Sequence, residues 1–208
     1  MSDVSLEFGE LYGAFSDALS SFKKLPTDGN LKDVDFYIKP PEDGQFRWYA
    51  VIDNQKFLLC EICHCYLPFE SIRDWMERSM VFDRSGHLKS ELLTLDSRSY
   101  TVTISLYHLG WDKAELLRSG YHRKIPFSHL VVMRDDRTEP VVNCLCPTNR
   151  TILGMYLSLM DGLLRYRDRF ENPRLWPTSR SYKIRYGESY AYIYRDQLRS
   201  KVVEKLLP

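Results

Sequence analysis

Apolar residues recur along this chain in two rhythms, one helical and one alternating, and the switches between them mark out the elements. Between residues 5 and 24, Phe8, Leu11, Tyr12, Phe15, Ala18, Leu19 and Phe22 fall on one stripe, which predicts an amphipathic helix. Gly9 and Gly13 weaken it, each by up to about 1 kcal/mol relative to Ala, and Pro26-Thr27-Asp28-Gly29 ends it. The period then drops to two. Asp33 to Lys39 reads as a short strand closed by Pro40-Pro41, and Glu42-Asp43-Gly44 as a turn. From Phe46 to Asp53, Phe46, Trp48, Ala50 and Ile52 alternate with Arg47, Tyr49 and Val51, a stronger strand. Asp53-Asn54-Gln55 makes a tight hairpin. The stretch from Phe57 to Met80 then reads as a central strand carrying Cys60, Cys63, His64 and Cys65. It feeds a helix that starts at Pro68, where the missing N–H costs nothing.

That helix buries Phe69, Ile72, Trp75, Met76 and Met80 and turns Glu70, Arg73, Asp74, Glu77 and Arg78 to solvent. Strands are expected over His87 to Leu95 and Tyr100 to Leu109, where Val102, Ile104 and Leu106 alternate with Thr101, Thr103 and Ser105. Gly110 to Pro126 reads equally as a short helix or a loop. Phe127 to Met133 and Glu139 to Cys146 form a further hairpin, turning at Arg134 to Thr138. The longest helix runs from Thr148, a suitable N-cap, to Phe170. Its stripe is Ile152, Met155, Tyr156, Leu159, Met160, Leu163 and Leu164, and Glu171-Asn172-Pro173 stops it. Beyond the linker at Trp176-Pro177, Tyr182 to Tyr186 reads as a short strand and Glu188 to Leu207 as a terminal helix. Strands in hairpin-joined runs bracketed by helices predict an α+β fold: one antiparallel sheet of about six strands against three or four helices. One domain over residues 1–208 is expected, with 171–208 a basic, Tyr-rich extension.

Charge changes this picture more than composition does. The net charge is only +1, yet residues 1–80 hold eight Lys/Arg against fourteen Asp/Glu, a balance of −6, while residues 165–208 hold eleven against five, +6. Such segregation steers charged partners, or lets the two ends pair. No apolar run approaches the roughly 20 residues that span a bilayer. The start of the chain has no export-signal pattern. A soluble cytoplasmic protein with cysteines as thiols is therefore expected.

Candidate chemistry is sparse. Cys60-Glu61-Ile62-Cys63-His64-Cys65 contains the letters C-x-x-C-H, but haem attachment follows export and needs a second axial ligand. Redox C-x-x-C pairs open helices, whereas this pair precedes Pro68. Zinc held by Cys60, Cys63 and Cys65 (or His64) with Cys144 and Cys146 is the alternative. On an extended strand, Cys60 and His64 face one way and Cys63 and Cys65 the other, so the main expectation is sulfur as core filler. Asp135, Asp136 and Glu139 could hold magnesium, but between Arg134 and Arg137 they read as a solvated turn. No hydrolase, phosphate-loop or calcium-loop motif occurs. The basic C-terminal quarter interleaves Trp176, Tyr182, Arg185, Tyr186 and Tyr190, the residue types of protein interfaces. Single-stranded nucleic acid wants the same mixture, but a pI near 7.6 disfavours it.

Pro68-Phe69-Glu70-Ser71-Ile72-Arg73-Asp74-Trp75-Met76-Glu77 resembles a P-F-x-x-φ-x-x-W-φ-E segment (φ apolar) of small bacterial proteins, some of which resemble immunity proteins that bind and silence a toxin. The resemblance covers ten of 208 residues. It implies a compact α+β inhibitor that binds a partner protein such as a toxin domain, without a cofactor, and it transfers no site residues. The expectation is a protein-binding module, with no catalytic residues, no cofactor and no small-molecule substrate. The zinc or thiol protein is its first alternative and nucleic-acid association its second.

Overall fold

The alternating stretches do form strands, but in two sheets. The computed structural model describes residues 32–42, 45–62, 66–80, 90–97, 99–108, 127–165 and 200–202. In it β1 (Asp35–Glu42), β2 (Gln45–Ile52) and β3 (Gln55–Ile62) make an antiparallel meander. Helix α1 (Tyr66–Ser79) then leads to β4 (Glu91–Asp96), β5 (Thr101–His108), β6 (Phe127–Arg134) and β7 (Val142–Pro147), again antiparallel throughout. Helix α2 (Thr148–Arg165) follows β7 directly. The α+β class and antiparallel pairing stand. The expected single sheet of about six strands does not. Because β3 is followed by α1 and not by a hairpin, β4 opens a new sheet, giving three strands plus four. Two helices lie among the described residues, against three or four expected. The helix expected over 5–24, the ambiguous stretch 110–126 and the strand expected at 182–186 all lie outside them. Of the terminal helix expected from Glu188 to Leu207, Ser200 is not helical while Lys201 and Val202 are.

Local boundaries moved for identifiable reasons. β1 continues through Pro40-Pro41 to Glu42, across a register irregularity between Lys39 and Glu42. Proline is tolerated there because β1 is an edge strand and the ladder is already broken. Asp53 and Asn54 have φ of 50° and 63°, the paired left-handed conformation of a two-residue hairpin whose twist matches its strands. Helix α1 starts at Tyr66, so Pro68 stands in its first turn.

The core lies between the inner faces of the sheets and the two helices, and α2 is at its centre. Ile152, Leu153, Met155, Tyr156, Leu157, Leu159, Met160 and Leu163 are all buried. They point around the whole helix, which is therefore a core helix and not the one-sided helix its stripe predicts. Its approach to the first sheet is set by small residues four apart. A Cβ on Gly154 would lie 3.3 Å from Phe36 Cδ2, and one on Gly162 would lie 3.1 Å from Ile38 Cβ. Ser158, midway between them, accepts a hydrogen bond from Trp48 Nε1 at 3.1 Å and donates its own to the Met155 carbonyl at 2.7 Å. Trp48 is thereby buried with its polar atom satisfied. Helix α1 adds Phe69, Ile72, Trp75, Met76 and Met80.

The two sheets are also tied at their edges. The Lys32 amide donates to the Leu145 carbonyl of β7 at 2.8 Å. Ser97, just past β4, accepts from the Glu61 amide at 3.3 Å and donates to the Glu61 carbonyl at 3.1 Å, so one hydroxyl serves β3 as an adjacent strand would. Arg150, at the start of α2 and only 7% exposed, forms an ion pair with Asp33 at 2.9 Å and lies 3.6 Å from Asp35. Glu77 of α1 accepts from Ser200 Oγ at 2.8 Å and from the Lys201 amide at 2.9 Å, and Val202 is buried beside it. Among the described residues, no helix is long and apolar enough to cross a membrane.

Candidate functional site

Of the described cysteines, Cys60 and Cys146 are packed inside the core. Cys60 is 1% exposed and Cys146 fully buried, while Cys144 is half-buried against the same core. Cys60 faces inward because β3 carries a bulge: Trp48 pairs with Cys60 but Tyr49 with Leu58, leaving Leu59 as the extra residue. Without that bulge Cys60 would share the outer face with Lys56 and Leu58. From Cys60 to Ile62 the register is regular again, and the strand ends at Ile62. Cys63, His64 and Cys65 lie outside the described residues. Burial pushes the Cys144 thiol up to about 11 and that of Cys146 up to about 12, so both are protonated near neutrality. Cys146 donates weakly to the Ser128 carbonyl, 3.6 Å away. Among the described residues, no three His, Cys, Asp or Glu side chains are grouped to hold a metal ion. The acidic turn after β6 is occupied by its own neighbours: Asp136 pairs with Arg134 at 2.6 Å and Asp135 caps the Thr101 amide at 2.9 Å.

Three residues that no motif singled out form a polar chain at the start of α2. His108 Nδ1 and Ser128 Oγ are 2.6 Å apart, and Ser128 Oγ and Thr148 Oγ1 are also 2.6 Å apart. The pairing resembles a nucleophile with its base. Ser128 and Thr148, however, are fully buried, so no substrate atom can approach the hydroxyl. The chain joins β5, β6 and α2 and satisfies groups that their packing buries.

Among the described residues, a half-exposed aromatic and charged constellation lies on the outer face of β1–β2–β3. Register places three rows across it: Lys39, Arg47 and Glu61; Tyr37, Tyr49 and Leu58; Asp35, Val51 and Lys56. Tyr37 and Tyr49 stack, with ring centroids 5.0 Å apart and planes 9° from parallel. Lys39 Nζ lies 5.3 Å from the Tyr49 centroid and Lys56 Nζ 5.5 Å from that of Tyr37, within cation–π range. Arg47 pairs with Glu61 at 3.1 Å. The Tyr37 hydroxyl is shielded and has no hydrogen-bond partner among the described residues. These side chains hold one another in place across the sheet.

The five aromatic and basic residues expected to bind a partner, Trp176, Tyr182, Arg185, Tyr186 and Tyr190, lie outside the described residues. The face formed by Tyr37 and Tyr49 was not expected. Its signal was present: the alternation that buries Trp48, Ala50 and Ile52 turns Tyr49 outward, and Tyr37 sits one step before the buried Ile38. Only the cross-strand register shows that the rings meet. No protein-family model, curated protein or solved structure matches the chain.

Proposed function

We propose that the chain is a protein-binding module that holds its partner on the outer face of β1–β2–β3. The stacked Tyr37–Tyr49 pair carries this reading. Tyrosine contributes large rigid contact area with few rotatable bonds, and with arginine it dominates the residues on which binding energy concentrates. Here both tyrosines stand between cationic side chains on paired strands, a scaffold that holds positions better than a loop does. In its most specific form the module is an immunity-type inhibitor, working in the cytoplasm by stoichiometric occlusion of a toxin and without a cofactor.

The test begins by cross-linking the chain in its source cells, identifying the partner and preparing it recombinantly. Binding between the two purified proteins is then measured by calorimetry. Tyr37→Ala with Tyr49→Ala should weaken it by at least about 30-fold, since such anchors contribute about 2 kcal/mol or more. Unchanged affinity in a variant that still melts cooperatively removes this face from the reading. Close to one zinc per purified chain, lost on Cys60→Ser, would support the thiol-metal alternative instead.

A further inference from the structure

Resting on that protein-binding reading, we infer that the partner surface seated on β1–β2–β3 is acidic, with two carboxylates placed to meet Lys39 and Lys56. The four corners of the face alternate in sign: Lys39 and Lys56 on one diagonal, Glu61 and Asp35 on the other. Each acidic corner has a cation within reach, and Asp35 stays largely exposed. Glu61 is held by Arg47, and Asp35 lies 3.6 Å from the Arg150 guanidinium. No ion pair among the described residues uses Lys39 or Lys56, whose ammoniums rest over the tyrosine rings and are exposed. The charge left to complement is therefore positive and sits at two discrete points across the aromatic pair. An opposing surface gains attraction and register by putting carboxylates there.

The same geometry disfavours a polynucleotide. A base stacks on an aromatic ring with an open face. Tyr37 and Tyr49 each turn one face to the other ring, and a lysine ammonium lies over each. A phosphate backbone also needs a continuous cationic track, and this patch interrupts its cations with Asp35 and Glu61. An acidic protein surface can place separate carboxylates at the two lysines, whereas a polynucleotide carries its phosphates at a fixed close repeat.

The test titrates the full chain with three probes, following the Tyr37 and Tyr49 ring resonances. The probes are a peptide of about 12 residues alternating Glu and Ser, its Lys-Ser counterpart, and a mixed-sequence DNA strand of about 12 nucleotides. The Glu-Ser peptide should perturb both rings, the Lys-Ser peptide neither, and Lys39→Glu with Lys56→Glu should abolish the response. In the binary assay with the purified partner, the same double reversal should weaken binding at least about tenfold. Raised salt should weaken wild-type binding. If Tyr37→Ala with Tyr49→Ala weakens the partner but the lysine reversal does not, the acidic inference is overturned while the binding face stands. If neither pair of substitutions weakens it, both fall. Ring perturbation by DNA in preference to the Glu-Ser peptide would make nucleic acid the occupant and overturn the inference.

Discussion

Gly162→Ala sets helix propensity directly against packing. An alanine in place of glycine in a helix gains about 0.8–1.0 kcal/mol from propensity alone, somewhat less near the helix end. The added Cβ, however, would sit 3.1 Å from both Cβ and Cδ1 of Ile38 and 3.5 Å from its Cγ1. Carbon pairs prefer about 3.5–4.0 Å, so roughly 0.5 Å must be found. Ile38 Cβ is fixed to the backbone of β1, and its branched side chain has little rotamer freedom; the strand or the helix has to move. Overpacking of that kind costs about 1–3 kcal/mol. Packing therefore wins, and the substitution should destabilise by about 1 kcal/mol, lowering Tm by about 2–4 °C. Gly154→Ala, two turns earlier on the same helix, should do the opposite. Its Cβ would meet Phe36 Cδ2 at 3.3 Å and the Val34 carbonyl at 3.7 Å, and a half-buried ring can pivot, so a gain of about 0.5 kcal/mol is expected. Urea unfolding followed by the fluorescence of the buried Trp48 and Trp75 measures both. Ile38→Val, which removes Cδ1, should reduce the Gly162→Ala penalty by at least about 0.5 kcal/mol in a double-mutant cycle. Equal stabilisation by both alanines would refute the close approach of α2 to β1.

Three further outcomes are expected. Ser158→Ala leaves the buried Trp48 indole N–H without its acceptor and should cost about 1–3 kcal/mol, with the indole N–H resonance displaced in the same variant. Asp33→Asn removes the nearer carboxylate from the buried Arg150 and should cost about 3 kcal/mol by urea midpoint, the low end for broken buried pairs, because Asp35 remains 3.6 Å away. The thiols set an alkaline limit. With folded values raised to about 11 for Cys144 and about 12 for Cys146, against about 9 when unfolded, their contribution is whole below about pH 8. It falls as pH climbs through 9 toward those values, by up to about 1.4 kcal/mol per pH unit for each thiol. Cys144→Ser with Cys146→Ser should flatten unfolding midpoints measured between about pH 8 and 10; an unchanged slope would show that burial does not hold these thiols neutral.

What the sequence disclosed follows from how local each feature is. The alternation from Phe46 to Asp53 predicted β2 and its inward Trp48, Ala50 and Ile52, because period-two burial needs no distant information. The Asp53-Asn54 turn was equally plain, since two adjacent left-handed residues suit Asp and Asn. Helix α2 was placed well, but its burial was underestimated. The run from Thr151 to Met160 carries no charge on any face, and that, more than the stripe, marks a core helix. The bulge that turns Cys60 inward left no local mark, because it depends on the pairing of β3 with β2. Likewise Tyr37 with Tyr49, and His108 with Ser128 and Thr148, meet only through register and chain crossing. The division into two sheets was hidden for the same reason: β3 and β4 each read as strands, and only their lack of pairing separates them.

The Ser97 hydroxyl has a consequence beyond joining two pieces of sheet. A terminal strand offers its unused amides and carbonyls to any extended peptide that comes past, and this is how fibrils recruit folded chains. At Glu61 both groups are already engaged by a single side chain, and at Leu145 the carbonyl is taken by Lys32. A stray strand would first have to evict these native occupants, so the joints guard those positions against templated pairing.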